Sequence, residues 1–182
     1  MSESDSASKF IDGLKSTIAN NLTDIEARDD LSADEKAQKI IHIFAASCAG
    51  VAIQPIPFAD IFILTPMQAY MAERLAAVRG VPMSQGSAKE LITDLAKVMG
   101  LGMLAQQAAL GLYKVGLPFL AGFTTIPLVY GLTYAVGNVL DYLFTERAKG
   151  NRVSPEVIRD LWGKAKKEGT KKGKEYRSSI KK

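Results

Sequence analysis

Residues 115–140 read VGLPFLAGFTTIPLVYGLTYAVGNVL, 26 positions without a charged side chain. A helix that crosses a bilayer needs about 20 predominantly apolar residues, and this run has that length. Three charge-free runs precede it, at 40–59, 61–72 and 98–113, each marginal as an independent span. Runs of about 10–14 residues suit buried core helices or re-entrant segments equally well. The decisive run therefore favours membrane insertion, and an Ala-rich soluble helical bundle stands as the alternative.

The rest of the 182-residue chain frames this centre with charge. Residues 1–38 carry nine acids and four bases, a net of −5; residues 39–144 carry a net of +1; residues 145–182 carry thirteen bases and five acids, a net of +8. The overall +4 and the mean hydropathy of +0.04 describe none of the three parts. A soluble domain spreads solvated charge over most of its helices, so the segregation has to have a cause. One Cys and one His exclude a disulfide scaffold and make a His/Cys zinc site untenable. The acidic start, Met1-Ser-Glu-Ser-Asp-Ser6, lacks the basic and apolar regions of a secretory signal, so a cytoplasmic start is expected.

The period of the apolar residues is helical throughout, and no stretch alternates as a strand would. Phe10, Leu14, Ile18, Leu22 and Ile25 predict an amphipathic helix over 8–28. Ser32-Ala-Asp-Glu35 has the form of a capping box, which starts a second helix running to about Gln54. Pro55 and Pro57 end it, since proline lacks an N–H and disfavours helix in the preceding residue. A third helix follows over 58–79, closed by Gly80 and Pro82, and a fourth runs from Ser84 or Ser87 to about Lys114. Gly116 and Pro118 mark a tight turn before a fifth helix to about Lys149. Ser154-Pro155-Glu156 caps a short basic helix to about Lys166, and residues 169–182 read as disordered.

The expected fold is all-α: two apolar helical hairpins, 40–79 and 90–147, flanked by an amphipathic N-terminal helix and a short basic C-terminal one. The expected organisation is an acidic arm over 1–32, a double-hairpin domain over 33–149, and a basic helix with tail over 150–182. If both hairpins enter a bilayer from one side, their distal turns carry only Lys114, and the charged ends and connector share the cytoplasmic side. Small-residue pairs such as Ala45/Ala49, Ala105/Ala109 and Gly131/Ala135 suit close helix packing in either solvent.

Pro55-Ile-Pro57-Phe-Ala-Asp60-Ile-Phe-Ile-Leu-Thr65-Pro-Met-Gln68, with Thr133-Tyr134-Ala-Val-Gly137 further on, resembles the signature of the YcjF-like, GTPase-associated domain family of unknown function. The resemblance spans about 33–145. It implies a helical membrane-associated module and a GTPase as partner in trans, with no known activity. No Gly-x-x-x-x-Gly-Lys-Ser/Thr phosphate loop occurs in these 182 residues.

Candidate polar positions lie on the apolar helices. Asp60 either caps the third helix or lines an ion path. Thr65, Gln68, Gln106 and Gln107 suit interhelical hydrogen bonds, and Tyr130, Tyr134 and Asn138 share a helical face as a polar seam or packing stripe. Glu73 and Arg74 read as a solvated rim, while His42 and Cys48, six apart, fall on different helical faces and form no nucleophile pair. Trp162, Lys164, Lys166, Lys167, Lys171, Lys172 and Lys174 are candidates for anionic lipid headgroups, favoured over nucleic acid because no stacking platform accompanies them. No catalytic set, metal cluster or cofactor motif stands out. The expected function is a non-enzymatic, membrane-associated scaffold, tether or effector at the inner (cytoplasmic) membrane with cytoplasmic termini, self-associating as a homo-oligomer. An oligomeric channel and a soluble cytoplasmic adaptor are the alternatives.

Overall fold

A computed structural model describes residues 3–51, 59–81, 83–99 and 118–180 of the chain. They form six helices: α1 (Glu3–Glu26), α2 (Ala33–Val51), α3 (Ala59–Val78), α4 (Gln85–Met99), α5 (Pro118–Ala148) and α6 (Pro155–Ile180). No strand occurs among the described residues. The fold is all-α.

Local chemistry sets the helix ends. At α2 the Ser32 hydroxyl accepts the Glu35 N–H at 3.2 Å, and the Glu35 carboxylate accepts the Ser32 N–H at 2.9 Å. That reciprocal bonding satisfies donors that have no partner inside the helix. Ser84 accepts the Ser87 N–H at 3.2 Å ahead of α4, and Ser154 with Pro155 opens α6. The chain leaves α3 through Gly80, whose φ of 71° suits glycine, while Val81 N–H reaches back to Ala76 C=O at 2.8 Å.

Long-range contacts give the directions. Gln38 meets Asn138 and His42 meets Tyr130, so α2 and α5 run antiparallel. Arg79, just past α3, reaches both Asp34 and Asp141, which places the end of α3 beside the start of α2 and the end of α5. The core lies among α2, α3 and α5, filled by Ile40, Phe44, Leu64, Met71, Leu75, Val139 and Phe144, all fully buried. Ile18 and Leu22 carry α1 onto α2 and α3, and Ile92 and Leu95 carry α4 onto α3. On burial alone, each such side chain contributes about 1.5–3 kcal/mol.

The C-terminal segment departs from expectation. Instead of a short helix and a disordered end, α6 is one helix of 26 residues to Ile180, docked chiefly on α5. Tyr134 meets Glu168, and Gly173 lies against Pro127, so α6 returns antiparallel along α5. The close approach needs glycine. A Cβ on Gly173 would stand 2.8 Å from Pro127 Cα, and one on Gly169 would stand 2.8 Å from Tyr134 Cβ. Composition alone suggested disorder because Lys and Gly disfavour burial; the Ala165, Gly169 and Gly173 stripe, one residue every four, supplies the buried face that composition hides.

This docking also bears on the expected separation of charge. Lys172 stands over the Tyr134 ring of α5 and Gly173 lies against Pro127, so part of the basic C-terminal segment packs along the neutral centre instead of standing apart from it. Among the described residues no helix is long and apolar enough to cross a membrane.

Candidate functional site

Where α2, α5 and α6 meet, the chain gathers its one histidine, three tyrosines and a Glu/Lys pair. His42 on α2 lies 2.7 Å from the Tyr130 hydroxyl, through its Nδ1. The Tyr134 hydroxyl donates to Glu168 Oε1 at 2.9 Å. The Tyr130 and Tyr134 rings stack at 6.5 Å, and Tyr176 of α6 tilts against Tyr130 at 5.6 Å. Lys172 closes the far side, its ammonium 5.7 Å from the centre of the Tyr134 ring and 3.6 Å from Glu168. Asn138 donates to the Tyr134 carbonyl and accepts from Gln38, which continues the polar seam toward the charged end.

The seam tunes its titratable groups. Burial holds His42 below its ordinary value, with Lys172 acting in the same direction and Glu168 against it. Burial also pushes the Tyr134 phenol up to about 12, helped by Glu168. Both groups are therefore neutral at pH 7, which suits a half-buried interface that excludes net charge. The arrangement clamps α6 to the bundle.

With its inner face occupied, α6 presents lysines outward. Lys167, Lys171 and Lys174 are exposed, fall on one face by their spacing of four and three, and join none of the ion pairs among the described residues. With Gly163, Lys166 and Thr170 they border an open groove of about 450 Å³. The other expected headgroup contacts are already engaged. Lys164 pairs with Asp160 at 2.7 Å, Lys172 belongs to the tyrosine seam, and Trp162 packs half-buried against the core instead of standing free as an anchor.

Other expected positions fare differently. Gln68 is fully buried on α3, yet neither end of its amide has a hydrogen-bond partner among the described residues, so none of them makes the interhelical bond expected of it. Thr65 is half-buried near the middle of the same helix. Arg74 is no solvated rim: it forms a two-pronged ion pair with Glu26 at the end of α1. Cys48 is buried, and burial pushes its thiol up to about 12, so it stays protonated. Asp60 lies in α3 and Pro118 opens α5, but their side chains fall outside the described residues, as do Pro55, Pro57, Gln106, Gln107 and Gly116 altogether. No group of three or more His, Cys, Asp or Glu able to hold a metal occurs among the described residues.

The Arg79 junction and the buried glycine stripe were missed in the sequence. Arg79 gave no signal beyond its charge. The four-residue spacing of Ala165, Gly169 and Gly173 was visible, but the lysines between them masked it.

A family model described as a domain of unknown function, DUF697, matches residues 19–167. No curated protein and no solved structure matches the chain.

Proposed function

Because the chain belongs to the DUF697 family, whose function is unknown, we propose from its own residues that it is a non-enzymatic helical scaffold that docks on anionic membrane headgroups through α6. One observation carries the reading. Lys167, Lys171 and Lys174 stand exposed, without ion-pair partners among the described residues, on one face of a helix whose opposite face is locked onto α5. A rigid lysine row loses less entropy on meeting a charged surface than a disordered tail does. Each lysine near an anionic leaflet contributes about 1 kcal/mol. A surface contact of this kind requires no spanning helix. The family resemblance adds a GTPase in trans as the partner brought to that surface, since the chain itself has no phosphate loop.

Co-sedimentation of the full chain with vesicles tests the docking. Binding to vesicles of phosphatidylglycerol and phosphatidylcholine, weakening with salt, is expected, and none to phosphatidylcholine alone. Replacing Lys167, Lys171 and Lys174 together by Gln should weaken binding about 100-fold. Equal binding to neutral vesicles, or unchanged binding by the triple variant, would refute the role of α6. Binding of labelled RNA in place of vesicles would assign the lysine face to nucleic acid.

A further inference from the structure

His42 belongs to α2, but the charges that act on it belong to α6. Its ring centre lies 5.4 Å from that of Tyr134 and 6.3 Å from that of Tyr130, both on α5. From α6, Tyr176 tilts against Tyr130, Glu175 acts on the Tyr130 phenol, and Lys172 and Glu168 act on the imidazole itself. Glu168 is already engaged, accepting the Tyr134 O–H at 2.9 Å and facing Lys172 at 3.6 Å. On α2, Lys39 is exposed and Gln38 is bonded to Asn138. A proton on His42 therefore puts a second cation near Lys172 in a half-buried seam. The contact with Tyr130 survives protonation, since an imidazolium still donates; what is lost is neutrality.

The helix that bears Lys172 is also the one most lightly held. After Ile158, the buried residues of α6 are Ala165, Gly169 and Gly173, which place little apolar side chain in the core. An element of that kind can open while the rest of a fold persists. We propose that His42 is an acid-sensitive latch, whose protonation releases α6 from α5 while α2, α3 and α5 stay folded. The sign follows from linkage. In the docked state burial and Lys172 lower the pKa of His42, and Glu168 offsets them only in part. When α6 lifts, Lys172 leaves with it and the ring gains water, so the ring titrates near its ordinary 6.5. Docking is therefore full above pH 6.5 and weakens below it, by up to about tenfold per pH unit, until the docked-state value is passed. Released, the lysines of α6 no longer form a rigid row. The latch concerns the docking of α6 alone, so a chain that bound no vesicles would leave it standing.

Amide hydrogen exchange of the full-length chain, read by NMR as protection relative to the unfolded rate at about pH 7 and about pH 5.5, is the test. Amides of residues 165–176 are expected to be less protected than those of α2 and α3 at both values, and to lose about a further tenfold in acid. His42→Gln should remove that acid loss. Gly173→Ala, which crowds α6 against Pro127, should move the His42 titration midpoint from below 6.5 toward that value. Protection of α6 equal to that of α2 and α3 at both pH values overturns the proposal, because α6 would then open only with the whole fold. So does an acid loss that persists in His42→Gln. A His42 midpoint at or above 6.5 in the unaltered chain overturns it independently of either variant.

Discussion

Arg79 grips Asp141 with two parallel hydrogen bonds, Nε to Oδ1 at 2.7 Å and Nη2 to Oδ2 at 2.8 Å. The two side chains are 11% and 13% exposed. A third bond, from Nη1 to Asp34 at 2.7 Å, brings the start of α2 into the same junction. The residues come from three separate segments, so one guanidinium sets the relative height of α2, α3 and α5. Its planar fork suits this task, which a lysine could not perform.

Removing one partner should be felt throughout the core. Asp141→Ala leaves a largely buried guanidinium with only the exposed Asp34, and about 2–4 kcal/mol of stability should be lost. Urea denaturation followed by circular dichroism measures this. A loss below about 0.5 kcal/mol would mean that the junction behaves like an ordinary surface pair.

Two glycines of α6 should respond in opposite directions to the same change. Gly163 has open space where a Cβ would be, so Gly163→Ala should stabilise by up to about 1 kcal/mol through helix propensity. At Gly173 the new methyl would meet the backbone of Pro127, which cannot move aside like a flexible side chain. Gly173→Ala should therefore destabilise by about 1–3 kcal/mol despite the same gain in propensity. Paired melting curves decide the point, and stabilisation by both changes would refute the close docking of α6.

Gln68 should be improved by losing its polarity. Its amide is fully buried and unpartnered, and Met has similar volume and flexibility without those groups. Gln68→Met should raise stability by about 1–2 kcal/mol, read as a higher denaturation midpoint. A fall in the midpoint would show that the amide is satisfied in solution.

Stability should decline in mild acid through His42. Its pKa is lowered in the fold by burial, so the unfolded chain takes up the proton first. The contribution is full above the ordinary value of 6.5 and is lost as pH falls from there toward the lowered folded value. His42→Gln should flatten the stability slope between about pH 7 and 5. An unchanged slope in that variant would place the acid sensitivity elsewhere.

Much of the helical framework was legible in the order of residues. Ser32 with Glu35, Ser84 and Ser154 with Pro155 mark helix starts, and Gly80 marks an end, because capping involves groups within four residues of one another. The polar stripe of Tyr130, Tyr134 and Asn138 was equally readable from helical spacing. Its partners were not: His42 and Glu168 come from α2 and α6, 88 and 34 positions from the tyrosines they meet.

What the sequence determined by itself is therefore a set of helices, their apolar faces, and a chain charged at both ends with a neutral middle. The tertiary structure decided where those charges lie. Gly169 and Gly173, by lacking a Cβ, let α6 fold back along α5 until Lys172 stands over the Tyr134 ring, inside the most apolar run of the chain. Close packing depends on the shape of both surfaces at once, and only one of them is written in any local stretch.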